Sequence, residues 1–450
     1  MCFLQEAKML NRILYNYIKI RRRHTFTVKE LEQESLWKLK RLVRYAWLNV
    51  PFYSRKMRQA GLTPDEIHSL DDLAKLPIIP KSELMSQPKS EVLAHNMHLW
   101  NVLIRHTTGT TGKPSKIFWS NAYADYVTAL RFVNTWRLGI GLNQKVMNIE
   151  FYGPQKIAPS KGYRVPNPLR EVKKATIGPW VAPGLMSFRW KKLGFQRSVE
   201  EMVEEVIRFK PAGVFSRASY LRKLGKALES YAPRPEINKV LITGEIITES
   251  CKKDIHASLG SEVFETYGAM EFGSIGLECA AHDGLHLQPH LIVEVLKDGH
   301  KVGPGESGEV VITNLENTLM PFIRYKLGDI AVVGPSDGCE CGSRLARLSQ
   351  VVGRPQEVLV TPAGTRVYSR EIIRTIERQV GVTDFQIEQN EAGDIRVRLP
   401  PCHGFEVIKS DIVHILKGFL GEGVPISCEV WNQDFRIPKY RPVFSRRVVA

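Results

Sequence analysis

One stretch of this chain reads His106-Thr107-Thr108-Gly109-Thr110-Thr111-Gly112-Lys113-Pro114. It combines four threonines, two glycines and one lysine, and it holds no large apolar side chain. Glycines let a backbone approach a ligand closely, hydroxyl and N–H groups donate hydrogen bonds, and a lysine adds positive charge. The stretch therefore predicts a loop that wraps a phosphate chain, with ATP as the expected ligand. A Gly/Thr hairpin that binds nothing is the alternative.

The flanks of this threonine loop, residues 107–113, are typical of strands. Residues 100–105 and 115–119 are rich in β-branched and aromatic side chains. A Walker A loop has a longer spacing between its first glycine and its Gly-Lys pair, and it opens a helix. Here only Thr110 and Thr111 separate the two glycines, and Pro114 follows the lysine. We therefore expect the loop to join two strands.

The totals indicate a folded protein with more than one domain. A chain of 450 residues is too long for one compact core. Apolar residues make up 43% and charged residues 24%, which is ordinary for a folded chain. No apolar run has the length of a transmembrane helix or the form of a secretory signal. Seven cysteines in so long a chain disfavour a disulfide framework, so we expect a cytoplasmic protein.

The net charge of +16 is diffuse except for one cluster, Arg21-Arg22-Arg23-His24. A segment with apolar positions on one helical face precedes it. Such a helix, over residues 8–24, could contact an anionic membrane surface or pack on the main domain, and packing is the commoner use. No nucleic-acid motif is present, so nucleic acid is not an expected partner. The apolar positions of the helix are Leu10, Ile13, Leu14, Tyr17 and Ile18.

Strand-like and helical segments alternate through the first 350 residues, which predicts an α/β body of mixed sheets and helices. Residues 153–196 are rich in Pro, Gly and Lys and are expected to form an irregular insertion, such as a lid or substrate region. After Gly353-Arg354 the order becomes ββαββαβ, closing with a strand over residues 426–431. This predicts a small α+β domain of about 95 residues. The expected domains are therefore 1–29, 30–353 and 354–450.

Three further motifs follow the threonine loop. Glu265-Thr266-Tyr267-Gly268-Ala269-Met270-Glu271 comes after a predicted strand over residues 262–264. Arg324-Tyr325-Lys326-Leu327-Gly328-Asp329 precedes another, over residues 330–333, and Gly353-Arg354 marks the presumed domain junction. Each motif is weak alone. In this order, together with Val50-Pro51-Phe52-Tyr53 and Leu76-Pro77-Ile78-Ile79-Pro80-Lys81, they resemble the adenylate-forming superfamily. Within it they are most similar to the phenylacetate–CoA ligase family, and especially to members found with capsular-polysaccharide genes.

The resemblance covers the chain from about Glu30 to its end, and it implies roles for the residues that match. Thr107, Thr108, Gly109, Thr110, Thr111, Gly112 and Lys113 would hold the ATP phosphates. Gly244 and Glu245 would line the adenine site, Tyr267 would stack on the base, and Gly268 beside it belongs to the same nucleotide-binding set. Glu271 would hold Mg2+, because Mg2+ prefers oxygen ligands. Asp329 would accept the ribose hydroxyls, as an acceptor-only carboxylate can, and Arg354 would touch the ribose.

The chain departs from the family pattern at its end and at its hinge. The family usually ends with a Gly-Lys pair whose lysine steadies charge during the reaction, and here Val443 and Phe444 stand at that place. Lys439 or Arg441 could substitute for it. Gln356 occupies a hinge position that is often an aspartate. The expected catalytic residues are therefore Glu271, Lys113 and Lys439.

A set of cysteines and histidines predicts a structural zinc site. Thiolate and imidazole are ligands that zinc prefers, and some members of the family carry zinc at a similar place. The expected ligands are Cys279, His286, Cys339 and Cys341, with His282 as the alternative histidine.

The resemblance implies an AMP-forming acid–thiol ligase that uses ATP, Mg2+ and CoA. It would form an acyl adenylate and then, after its C-terminal lid rotates, transfer the acyl group to CoA. One alternative is an adenylyl- or acyltransferase of surface-polysaccharide or secondary-metabolite assembly without a CoA product. Another, favoured by Phe444, is a nucleotide-binding protein with weakened catalysis.

Overall fold

The computed structural model describes residues 2–96, 102–106, 115–150, 189–194, 197–245, 247–354, 358–401, 404–431 and 442–447. Among these residues, no helix combines the length and apolar character needed to cross a bilayer. The helices are α1 (Cys2–Arg23), α2 (Val28–Asn49), α3 (Pro51–Gln59), α4 (Lys81–Ser86), α5 (Lys89–Val92), α6 (Asn121–Arg137), α7 (Val199–Phe209), α8 (Ala218–Leu228), α9 (Glu249–Leu259), α10 (Ser369–Gln379) and α11 (Phe405–Leu420), with 3-10 turns at Pro64–Glu66 and Asp71–Lys75.

Strands account for most of the remaining regular structure. In chain order they are β1 (Ile79–Pro80), β2 (Val102–His106), β3 (Lys116–Ser120), β4 (Lys145–Glu150), β5 (Arg189–Gly194), β6 (Gly213–Ser216), β7 (Lys239–Thr243), β8 (Glu262–Ala269), β9 (Gly273–Glu278), β10 (Leu285–Leu287), β11 (Leu291–Lys297), β12 (His300–Lys301), β13 (Ser307–Asn314), β14 (Tyr325–Val333), β15 (Arg347–Gly353), β16 (Val358–Val360), β17 (Arg366–Tyr368), β18 (Gln386–Gln389), β19 (Ile395–Leu399), β20 (Ile426–Val430) and β21 (Val443–Ser445).

A large mixed sheet organises the body and confirms the α/β prediction. Its strands run in the order β12-β11-β13-β14-β15-β10-β9-β8-β7-β6-β4-β5, with β1 paired to β14. The segment from β5 to β8 is parallel, and helices α7, α8 and α9 connect its strands as in βαβ units. Parallel strands present their carboxyl ends at one edge, where α/β proteins usually bind ligands. The turns after β7 and β8 therefore open at this edge.

Two strands are longer than predicted. The sequence indicated strands over 262–264 and 330–333, whereas β8 extends to Ala269 and β14 begins at Tyr325. The extension of β8 is held by pairing with β9, in which Tyr267 lies opposite Gly276. The start of β14 pairs with β13 and with β1. Tyr267 and Asp329 consequently lie within paired strands, where backbone bonds fix their direction, rather than in turns.

The C-terminal part forms a separate four-stranded sheet in the order β20-β19-β18-β21, covered by α10 and α11. The predicted ββαββαβ order is present, but one strand was missed. Residues 443–445 add β21, which pairs in parallel with β18 so that Phe444 lies opposite Glu388. Val443 is buried in this domain's core, which explains why an apparent tail folds back as a strand.

The C-terminal sheet is joined to the body by polar contacts. Glu377 on α10 accepts a hydrogen bond from the Thr248 hydroxyl at the start of α9, and it lies 3.5 Å from Arg222 on α8. The Glu377 side chain is only 3% exposed. Arg370 donates to the carbonyl oxygen of Val351 at 2.9 Å. A buried carboxylate thus crosses the boundary between the two parts.

Helix α1 packs on the body, mainly against α6. Ile13 and Ile20 are buried, and Arg23 pairs with Glu34 while donating to the Tyr126 hydroxyl at 3.0 Å. The apolar side of α1 therefore packs on the main domain, which is the alternative that the sequence favoured. Ile18 differs from the prediction because it points outward and is 59% exposed.

Arg324 fastens the segment that precedes α4 to the sheet. Its guanidinium pairs with Glu294 through bonds of 3.1 and 3.0 Å, and it donates to the carbonyl oxygens of Ala74 and Leu76 at 2.9 and 2.6 Å. Both charged side chains are almost fully buried. A buried ion pair whose remaining donors are satisfied fixes the relative position of the segments that it joins. Removal of one partner leaves the other charge buried and unpaired.

We expect Arg324→Met to lower the free energy of unfolding by about 3–5 kcal/mol, because Glu294 would remain as an unpaired buried charge. Urea denaturation followed by circular dichroism measures this. The double variant Arg324→Met/Glu294→Met should be less destabilised than the single one. Equal losses in both variants would show that packing, not charge pairing, sets the effect.

Candidate functional site

Tyr267, Asp329 and Arg354 form one hydrogen-bonded group. The Tyr267 hydroxyl donates to Oδ2 of Asp329 at 2.7 Å, and Nε of Arg354 donates to Oδ1 at 3.0 Å. Burial, and then the neighbouring Asp329 charge, raise the pKa of Tyr267 well above its ordinary value, so its hydroxyl stays protonated and can donate. The sequence placed these three residues in separate motifs, and the structure brings them together.

Glu271 is the centre of a second group. Its side chain is buried at 2% exposure, yet Oε1 accepts from Nζ of Lys81 at 2.7 Å and from the Tyr325 hydroxyl at 3.0 Å. Burial and the Glu271 charge raise the pKa of Tyr325 well above its ordinary value, so this hydroxyl also donates. Lys81 and Tyr325 were quoted within motifs but given no role. The sequence signal that could have indicated a role for Lys81 is its place directly after the apolar run 76–80.

The β8–β9 connection and β14 position both groups. Tyr267 lies near the end of β8, and Glu271 lies in the turn before β9. Gly268 is required in this bend, because a Cβ there would approach the carbonyl oxygen of Gly273 to 2.7 Å. Across from them, Tyr325 and Asp329 lie four residues apart on β14. Two carboxylates are thus held between the β8–β9 connection and β14 by different partners.

The predicted Gly244-Glu245 turn ends β7 at the same edge. Gly244 has φ of +77°, a left-handed conformation that glycine adopts without a steric penalty. The Glu245 carboxylate accepts from the Ser219 backbone N–H at 3.0 Å and from its hydroxyl at 2.8 Å. This glutamate therefore holds the turn against the start of α8.

The threonine loop joins strands, as predicted. β2 and β3 pair antiparallel up to His106 and Lys116. Nε of Arg105, one residue before the end of β2, lies 3.0 Å from Sδ of Met270, so the base of the loop lies beside the Glu271 turn. Several predicted positions lie outside the described residues, namely 107–113, Gln356, Lys439 and Arg441. Of the 153–196 segment, only residues 189–194 are described. The roles of Lys113 and Lys439 therefore stay predictions.

Four residues could hold a metal ion. The ligand atoms of Cys279, His286, Cys339 and Cys341 all lie within 4.8 Å of one another. Cys279 follows β9, His286 lies on β10, and the Cys339–Cys341 loop connects β14 to β15. Nε2 of His286 lies 3.4 Å from Sγ of Cys341, while Nδ1 lies 3.4 Å from the carbonyl oxygen of Leu345. Burial lowers the pKa of His286 to about 4.

His282, the alternative histidine, lies outside this cluster. Its Nδ1 is 3.2 Å from Oε1 of Glu278, and its ring stacks on Phe264 with centroids 5.1 Å apart. His286 is therefore the histidine that the fold brings to the three cysteines. Three thiolates and one imidazole at the corners of a small cluster are the donor set of a closed structural zinc site.

Comparisons with known proteins concern the relationship and the fold of the chain. No family model matches the chain. Phenylacetate–coenzyme A ligase of Thermus thermophilus is 26% identical over 77% of this chain and 74% of its own length. Protein CapK of Staphylococcus aureus is 20% identical over 83% and 78% of the two chains. A 2-hydroxyisobutyryl-CoA ligase solved in the postadenylation state is 21% identical with a TM-score of 0.74, and it covers 95% of this chain and 92% of its own.

Two of the matches, to a phenylacetate–coenzyme A ligase of Aromatoleum evansii and to the 2-hydroxyisobutyryl-CoA ligase structure, cover 93% and 95% of this chain and so extend over both the body and the C-terminal part. The structural likeness supports the fold, and the sequence likeness supports the relationship. The chain is thus related in sequence to the phenylacetate–CoA ligases over most of its length, and it shares the fold of a solved CoA ligase.

Proposed function

We propose that this protein activates a carboxylic acid with ATP and passes the acyl group to CoA. In the first step a carboxylate oxygen attacks the α-phosphorus, the bond to pyrophosphate breaks, and an acyl adenylate forms. In the second, the CoA sulfur attacks the acyl carbon, AMP leaves, and the thiol proton passes to solvent. The observation that carries the proposal is the pair of hydrogen-bonded carboxylates, Asp329 and Glu271, held between β14 and the β8–β9 connection.

The residues suit different parts of the adenylate. Asp329 is fixed by Tyr267 and Arg354, and an oriented carboxylate can accept both hydroxyls of a ribose. The Tyr267 ring, at the end of a strand, is proposed to meet the base. Glu271 is the proposed Mg2+ ligand, and bound Mg2+ neutralises charge on the phosphates. Arg105 adds positive charge near the base of the threonine loop.

Pyrophosphate release tests the proposal directly. Purified protein would be incubated with ATP, Mg2+ and a panel of aryl, aliphatic and hydroxy acids, with and without CoA. Acid-dependent release followed by a CoA thioester is the expected result. Release without a thioester would favour adenylyl or acyl transfer in polysaccharide or secondary-metabolite assembly. Measurable ATP binding with no release for any acid would support a nucleotide-binding protein instead.

Phe444 provides a test of the weakened-catalysis alternative. It lies half-buried on β21, at the place where the family resemblance implies a lysine. We expect Phe444→Lys to raise acid-dependent pyrophosphate release about tenfold, because a cation that stabilises charge in the transition state contributes at least this much. Phe444→Gln is the matched control, since it is polar but uncharged. No gain from lysine would indicate that another cation already serves the reaction.

We also propose that Cys279, His286, Cys339 and Cys341 bind a structural zinc ion. The cluster ties β9, β10 and the β14–β15 loop together, and it lies apart from the two carboxylate groups. The four ligands leave no open position for a substrate, which favours a structural role.

The proposed location is the cytoplasm, because the five cysteines whose side chains the structure describes form no disulfide with one another. Contact of residues 8–24 with an anionic membrane stays a proposal. It is supported by the outward-facing Tyr15 and Ile18, which are 64% and 59% exposed, next to Arg21 and Arg22.

A further inference from the structure

Lys81 has a contact that no motif explains. Its Nζ lies 2.7 Å from Oε1 of Glu271, a carboxylate with only 2% of its side chain exposed. The Tyr325 hydroxyl donates to the same oxygen at 3.0 Å. Among the residues that the structure describes, Oε2 of Glu271 has no hydrogen-bond donor. One oxygen is therefore doubly anchored, and the other is left for a ligand.

The backbone around Lys81 is held firmly. Lys81 begins α4 directly after β1, and β1 pairs in parallel with β14 so that Ile79 lies opposite Tyr325. Arg324 fixes the preceding segment through the carbonyl oxygens of Ala74 and Leu76. One donor on Glu271, Tyr325, therefore begins β14, and the other, Lys81, directly follows the neighbouring strand β1, whose register with β14 is fixed.

A buried carboxylate with one charged partner has a definite orientation, and removal of that partner leaves it free to rotate. Groups that orient a metal ligand in this way affect metal affinity strongly, by about 10–100-fold when they are removed. The Lys81 side chain is 36% exposed, so it reaches Glu271 from the protein surface and is not itself part of the core.

We propose that Lys81 is a positioning residue that fixes Oε1 of Glu271 and thereby presents Oε2 to the divalent cation of the metal–nucleotide complex. This inference rests on the proposed function, in which Glu271 holds Mg2+. It assigns Lys81 an effect on metal-dependent nucleotide binding rather than on binding of the acid or CoA.

The test compares Lys81→Met and Lys81→Arg with Lys301→Met in the full chain. Lys301 pairs with the exposed Asp71, so it is a matched surface lysine. Mn2+ binding in the presence of ATP is measured by electron paramagnetic resonance, and ATP binding with EDTA by calorimetry. We expect Lys81→Met to weaken Mn2+ binding at least about tenfold, and Lys81→Arg to retain affinity within about threefold. Metal-free ATP binding and the Lys301 variant should change less than twofold.

A second comparison separates positioning from a merely structural role. In a Glu271→Gln background, Lys81→Met should have no further effect on Mn2+ affinity, because the group through which it acts is gone. Equal loss in both backgrounds, or tighter Mn2+ binding by Lys81→Met, would overturn the inference; the latter would show that the ammonium competes with the metal. Failure of wild-type protein to release pyrophosphate would count against the proposed function, while these binding measurements would still decide the role of Lys81.

Discussion

Asp329→Ala is expected to reduce acid-dependent pyrophosphate release by at least about a hundredfold, a loss comparable to removal of a preorganised polar group from an active site. Asp329 is the acceptor for both Tyr267 and Arg354. Its removal takes away the proposed ribose contact and also leaves a buried tyrosine hydroxyl without its partner. The effect should appear both in the KM for ATP and in kcat.

Steady-state kinetics with a pyrophosphate-coupled assay measures this loss. Asp65→Ala is the control, because Asp65 is an exposed carboxylate that pairs with Arg44 on the surface, and surface pairs contribute little. Thermal unfolding of both variants checks that each is folded. A folded Asp329→Ala protein with a rate within threefold of wild type would remove Asp329 from the nucleotide site.

Cys341→Ser should lower zinc content from about one equivalent to near zero and reduce stability by several kcal/mol, because a structural zinc site contributes directly to folding. Cys341 belongs to the four-residue cluster and lies 3.4 Å from His286. Metal content is measured by mass spectrometry and stability by urea denaturation. A chelator should destabilise wild type and leave the variant unchanged.

Cys428→Ser is the matched control for this cysteine. Cys428 lies on β20 in the C-terminal sheet, away from the cluster. Retention of zinc by Cys428→Ser, with loss in Cys341→Ser, would support the site. Wild-type protein that purifies without metal and responds to no chelator would contradict it.

Local patterns predicted much of this fold because they report short-range preferences. The strands on both sides of the threonine loop and the order of elements after Gly353 followed from side-chain type and spacing. Strand ends were less predictable, since pairing with β9 and β13 extends β8 and β14 beyond their apolar cores. Residues 443–445 lack a long strand pattern, and only their parallel partner β18 defines them as a strand.

In the candidate site, too, residues in local motifs were predictable and contacts between distant parts of the chain were not. Tyr267, Glu271 and Asp329 were identifiable because each stands in a motif with a characteristic order. Lys81 lies 190 positions before Glu271, and no local pattern reports a contact over that distance. The choice between His282 and His286 was likewise decided by the fold, since β10 directs one histidine to the cysteines and Glu278 binds the other.

The contact of Glu377 with Thr248 and Arg222 would affect the rate of domain movement in the proposed two-step reaction. If the C-terminal domain turns between the steps, the buried Glu377 carboxylate must leave its partners and become hydrated. Each cycle would then include hydration of this buried carboxylate. Substitutions at Thr248 or Arg222 would therefore change how readily the domain leaves this contact.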